Sequence, residues 1–325
     1  MQKISKIIGL LTAFLLFGAS LWTVFNWQLV VDYASVYDFS PDQEIKALVT
    51  DSGMSEKGEF HFYSSYPKIT DAEEFNSVCQ RQEQSSPILG CYISKTNRIF
   101  IYNIDSQDLK CIKEVTAAHE MLHVAYSRLP QRERDWLEPR LEAAYSRLAN
   151  DKLRTRMDYY AKTEPGEKLN ELHSILPTEY ADLGQELNDY YAKYFDNRQA
   201  AIKLYSDYSQ VFYELEDEAR GLESKLESDV KQINADTSQY QADIQMFNQE
   251  VATFNQRASS GYFKSQTEFN SARSELVART YAFEARKTAL DQKIDEYNVN
   301  VDRLNQLGLK IDKLNKSIDS HKGVE

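Results

Sequence analysis

From residue 178 to residue 325 the chain contains no proline, and apolar residues recur there at spacings of three and four. One run passes through Leu215, Leu222, Leu226, Val230, Ile233, Tyr240, Ile244, Phe247, Val251 and Phe254. A second passes through Leu276, Phe283, Leu290, Ile294, Tyr297, Val301, Leu304, Ile311, Leu314 and Ile318. A period near 3.5 residues draws one apolar seam along a helix, and a partner helix is what buries such a seam. SSGYF at 259–263, centred on Gly261, interrupts the pattern as a turn would. The expectation is a long antiparallel α-helical coiled-coil hairpin over 205–320. Its Gln, Asn, Asp, Glu and Lys surface suits a support or docking element that joins a protein partner or self-associates. Pairing with another chain is the alternative, since heptads do not distinguish the two.

The other end of the chain is apolar. Residues 7–25, IIGLLTAFLLFGASLWTVF, carry no charge. At about 1.5 Å per residue they come close to spanning a hydrocarbon core of roughly 30 Å. Lys3 and Lys6 precede the run and Asp32 follows it. The expectation is a single-pass transmembrane helix in an anchor over 1–31, N-terminus cytoplasmic, with the remainder outside the cell membrane. Trp22, Trp27 and Tyr33 stand where an interfacial belt would lie; a cleaved signal peptide is the competing reading.

Net charge and cysteines narrow the partners. A formal charge of -12, with no dense Lys/Arg stripe, repels nucleic acid. Cys79, Cys91 and Cys111 are an odd number, so at least one thiol stays unpaired within a monomer. Cys79 and Cys91 flank a polar loop that a bridge would restrain; three small buried hydrophobes are the other reading.

Between the two ends, 32–204 reads as an α+β domain. FHFYSSY at 60–66 and NRIFIYNI at 97–104 are aromatic and β-branched, as strands are. From Glu114 to Leu148 the pattern turns helical, with a break at Pro130. A further helix begins near Glu167 and should break at Pro177. Aromatic YYAKYFDNR at 190–198 reads as core, and Arg198 as an ion pair with Asp196 or a clamp for a substrate carboxylate.

Within this domain lies VTAAHEMLHVAY, 115–126. His119 and His123 are four apart, so on a helix both imidazoles face one side and can ligate one ion. Glu120 stands beside them, near enough to take a proton from water there. Val115, Ala118, Leu122 and Tyr126 form the apolar stripe that would bury this helix. A third protein ligand is sought in EKLNELHSILPTEY, where Glu171, His173 and Glu179 are the candidates. Glu171 and His173 are two apart and cannot both face one ion. A His173 that does not ligate is the expected donor to a developing oxyanion.

The HEMLH helix resembles the zinc-binding helix of HExxH metallopeptidases, and the chain resembles membrane-anchored bacterial zincins. Asn170-Glu171 with Ser174 three residues later resembles the third-ligand helix of the gluzincins. The resemblance implies a zincin-like domain with Zn2+ on His119, His123 and Glu171. It implies that Glu120 acts as general base and then acid, and that peptides or proteins are hydrolysed. The 48 residues from His123 to Glu171 exceed the thermolysin-like interval, and SRLPQRE replaces the metzincin extension after the motif. A non-enzymatic envelope scaffold acting through its coiled coil is the alternative function.

Overall fold

The computed structural model describes residues 15–79 and 89–321. Two units divide the chain: Met1–Val211 with Lys313–Glu325, and Phe212–Asp312.

Among the described residues no helix is long and apolar enough to cross a membrane. The expected anchor is overturned, and with it the single-pass placement of the chain in a cell membrane. Residues 7–14 of the expected span lie outside the described residues. Over 15–25 the chain is helical but meets a turn at Asn26. The next helix, α1 (Trp27–Asp38), carries Gln28, Asp32 and Asp38 and buries Asp32. Arg128 holds that carboxylate from two nitrogens, at 2.9 and 3.2 Å, so α1 is tied to the body of the first unit.

The expected α+β class is corrected as well. Among the described residues the first unit is built from helices, with one sheet whose strands have three, four and five residues. After α2 (Gln43–Asp51) comes α3 (Glu56–Tyr63), which occupies most of the segment read as a strand. Ser55 caps it by accepting from the Gly58 N–H, and Glu56 and Glu59 lie in the first turn. These start signals, lying before the aromatic run, outweigh its β propensity. The sheet comprises β1 (Lys68–Thr70), β2 (Gly90–Ile93) and β3 (Arg98–Tyr102) in the order β1-β3-β2. β1 is parallel and β2 antiparallel to the central β3, whose Ile99 and Ile101 are wholly buried. Between β1 and β2 lies α4 (Ala72–Val78). A disulfide joins Cys79 to Cys91, Cα atoms 5.9 Å apart, and Cys111 is free.

Beyond the sheet run α5 (Ile112–Ser127), α6 (Gln131–Leu148), α7 (Asp151–Thr163), α8 (Lys168–Glu179) and α9 (Gln185–Tyr191). Helix α8 is central: every residue from Glu171 to Thr178 is buried. Pro177 does not break it, contrary to expectation. A proline inside a helix deprives the carbonyl four residues earlier of its donor, and here Tyr191 Oη–H donates to the His173 carbonyl at 3.0 Å instead. Arg198 closes the helix end, donating to the carbonyls of Pro177, Tyr180 and Ala181 and to Asn188 Oδ1 at 2.6–3.0 Å. It is therefore neither paired with Asp196 nor placed as a substrate clamp.

The second unit contains parts of the two longest helices, α10 (Arg198–Ser259) and α11 (Gln266–Ile318). They run antiparallel: Glu218 meets Arg303, Asp236 meets Lys293, Asp243 meets Arg286 and Glu250 meets Arg279. Phe247 packs on Phe283 and Phe254 on Phe269 between them. Gly261, at φ +71°, supplies the left-handed residue of the turn.

Candidate metal centre

Helix α5 buries Ala117, Ala118, Met121, Leu122, Val124 and Ala125 almost completely, and its remaining side looks towards α8. His119 and His123 fall on that side, one turn apart. Their Nε2 atoms are 3.0 Å from one another. From α8, Glu171 brings Oε1 to 3.6 Å from His123 Nε2 and Oε2 to 3.9 Å from His119 Nε2. Ligand bonds of about 2.0–2.1 Å would set the corners of a tetrahedron roughly 3.3 Å apart, in line with these three separations.

The polar atoms ask for such an occupant. Glu171 Oε2 is buried without a hydrogen-bond partner, and an unmatched buried carboxylate oxygen is costly. Asn170 Oδ1 lies 2.9 Å from His123 Nδ1, which fixes the Nδ1–H tautomer and leaves the Nε2 lone pair facing Glu171. Asn170 is itself oriented by donating to Glu167 Oε2 at 2.9 Å. Ser174 Oγ completes the floor at 3.3 and 3.4 Å from the two imidazole Nε2 atoms. His119, His123 and Glu171 thus form a buried group able to hold a metal ion.

Electrostatics differ from ligand to ligand. Burial, then the neighbouring His123, keeps the His119 imidazole neutral, well below its ordinary range. Burial also acts against charge on His123, but Glu171 and Glu120 outweigh it and raise that group. Burial raises the Glu171 carboxyl against the opposing pull of His123.

Glu120 lies at the other side of the motif, 5% exposed. Burial pushes its carboxyl up to about 7, against the opposing pull of His123 and, more weakly, of the Tyr92 backbone. Strand β2 lies directly against it: a Cβ built on Gly90 would stand 2.6 Å from Thr116 Cγ2 and 2.8 Å from Glu120 Oε1. Tyr160 on α7 is near enough for Glu171 and Glu120 to act on it. Burial and then Glu171 hold its phenol well above the ordinary value, so it keeps its proton.

Two expected site residues stand elsewhere. His173, taken as the oxyanion donor, is wholly buried with its ring among Tyr126, Tyr190, Tyr191 and Tyr194. Its Nε2 lies 3.1 Å from Tyr190 Oη, and burial drives its pKa down to about 3. A neutral ring with no exposed surface serves packing, since no substrate can reach it. Glu179, the third alternative ligand, is taken by Arg156 in a two-pronged ion pair at 2.7 and 2.8 Å. Gly90, Tyr92 and Tyr160 had no signal in the sequence, because sheet register and helix packing bring them here. Asn170 and Ser174 had one, their spacing about Glu171.

No protein-family model matches this chain, and neither a curated protein nor a solved structure does.

Proposed function

We propose that this chain is a zinc-dependent peptidase. The observation that carries the reading is the convergence of His119, His123 and Glu171 at ligand-like separations beside the buried carboxylate of Glu120. Two imidazoles and one carboxylate suit zinc, and three protein ligands leave a fourth position, whereas structural sites use four. Zinc held there would supply a Lewis acid and lower the pKa of water.

The chain's own residues do the rest. With a carboxyl near 7, Glu120 can accept a proton at neutral pH and return it to a leaving amine. The substrate's path follows from the ladder of β2. Tyr102 N–H donates to the Leu89 carbonyl at 2.8 Å, which sets the phase of the antiparallel pair. Cys91 and Ile93 therefore turn their amides to β3, and Gly90 and Tyr92 turn theirs to the opposite edge, which among the described residues carries no strand. An extended peptide can add to that edge and lie across Glu120.

The Glu120→Gln variant tests the reading. It should hold zinc as the parent does and lose at least about 100-fold in kcat on peptide substrates. Undiminished hydrolysis by that variant would remove the assignment.

A further inference from the structure

The position of Glu120 depends on β2, and among the described residues β2 has a β-strand on one side only. Gly90 approaches so closely that a Cβ built on it would stand 2.6 Å from Thr116 Cγ2 and 2.8 Å from Glu120 Oε1, so a larger residue here displaces one of them. Between Gly90 and Tyr92 lies Cys91. Side chains alternate along a strand, so Gly90 and Tyr92 face α5 while Cys91 faces away from it. There it is bonded to Cys79, at the end of α4. Helix α4 is a fixed anchor in its own right. Phe75 is wholly buried with its ring 5.7 Å from that of Tyr102. Asn76 exchanges hydrogen bonds with Ser320, donating to its carbonyl at 2.9 Å and accepting from its hydroxyl at 2.6 Å.

We propose that the Cys79–Cys91 disulfide is a positioning element for Glu120: it ties the edge strand to α4 and so sets where the general base stands over the metal site. This rests on the peptidase reading for the meaning of Glu120, but its structural consequence can be measured without catalysis. The bridge can be opened by a non-chelating phosphine. The phosphine attacks the S–S bond and takes oxygen from water to become the phosphine oxide, leaving two thiols.

The test compares the full zinc-loaded chain oxidised, reduced and reoxidised, together with the double variant Cys79→Ala/Cys91→Ala and with Gly90→Ala. Backbone hydrogen exchange at Tyr92, zinc content, kcat and KM are read in each. Without the bridge, Tyr92 should exchange at least about tenfold faster while Leu122 and Val124 in α5 keep their protection. Zinc should stay bound and KM stay level, while kcat falls by about 10- to 100-fold, the cost of a misplaced catalytic group. Reoxidation should restore both Tyr92 protection and kcat, and Gly90→Ala should lower kcat with the bridge intact. Unchanged Tyr92 exchange in the bridge-free protein overturns the proposal, as does a loss of protection shared with α5 and accompanied by loss of zinc. An oxidised chain that holds zinc yet cleaves no peptide sinks the peptidase reading alone, and Tyr92 exchange still decides the positioning.

Discussion

At the scale of single residues, His123 is held at both ends of its ring: Nδ1 faces Asn170 and Nε2 faces the shared metal position. The Asn170→Ala variant removes the group that fixes the tautomer. Zinc affinity should fall about 10- to 100-fold in competition with a chelator of known strength, and unchanged affinity would show that packing alone orients the ring. His119, Glu120 and His123 were legible in the sequence because a spacing of four is a statement about one helix face. Glu171 was legible only as one of three candidates, and the structure separates them by direction along α8. Glu171 points at α5, His173 at the tyrosine cluster, and Glu179 at Arg156. The approach of Gly90 and Tyr92 to Glu120 was not legible, since a strand's register is invisible until it pairs.

At the scale of elements, α8 shows how tertiary partners override local rules. Pro177 should end a helix, yet Tyr191, fourteen residues later in sequence, replaces the missing donor on the His173 carbonyl. The Tyr191→Phe variant keeps the ring in the core and deletes that bond. Leaving a buried carbonyl unsatisfied should cost about 1–3 kcal/mol in denaturant unfolding, and a change within experimental error would mean that the proline is tolerated without help. The aromatic segment at 60–66 failed as a strand for a related reason. Its propensity favoured a sheet, but Ser55 and the two glutamates before it start a helix, and His61, Phe62 and Tyr63 are buried from that helix. The Cys79–Cys91 pairing was one of two readings, and the structure contains it.

At the scale of the whole molecule, the seam of apolar residues beyond residue 205 was the most legible feature, because a 3.5-residue period leaves few alternatives to paired helices. The α+β class was not. Among the described residues the strands total a dozen, and the stretches around them follow helix caps instead. Stability of the first unit should depend on acid through His61, which burial, then the charges of Lys57 and Arg128, hold at about 4 against the opposing Asp32. Its unfolded value is 6.5, so below that pH the unfolded chain binds the additional proton. Stability should therefore fall as pH drops from 6.5 towards 4 and level off below, by roughly 2–3 kcal/mol. The His61→Phe variant should flatten that part of the profile, and an unchanged slope would assign the acid sensitivity to other groups.

The central claim is that His119, His123 and Glu171 bind zinc, and elemental analysis of the purified, exhaustively dialysed chain tests it most directly. The account predicts one equivalent of zinc per chain, lost in both His119→Ala and Glu171→Ala variants whose helical content is unchanged. Folded parent protein with no stoichiometric metal, even after incubation with zinc, would contradict it.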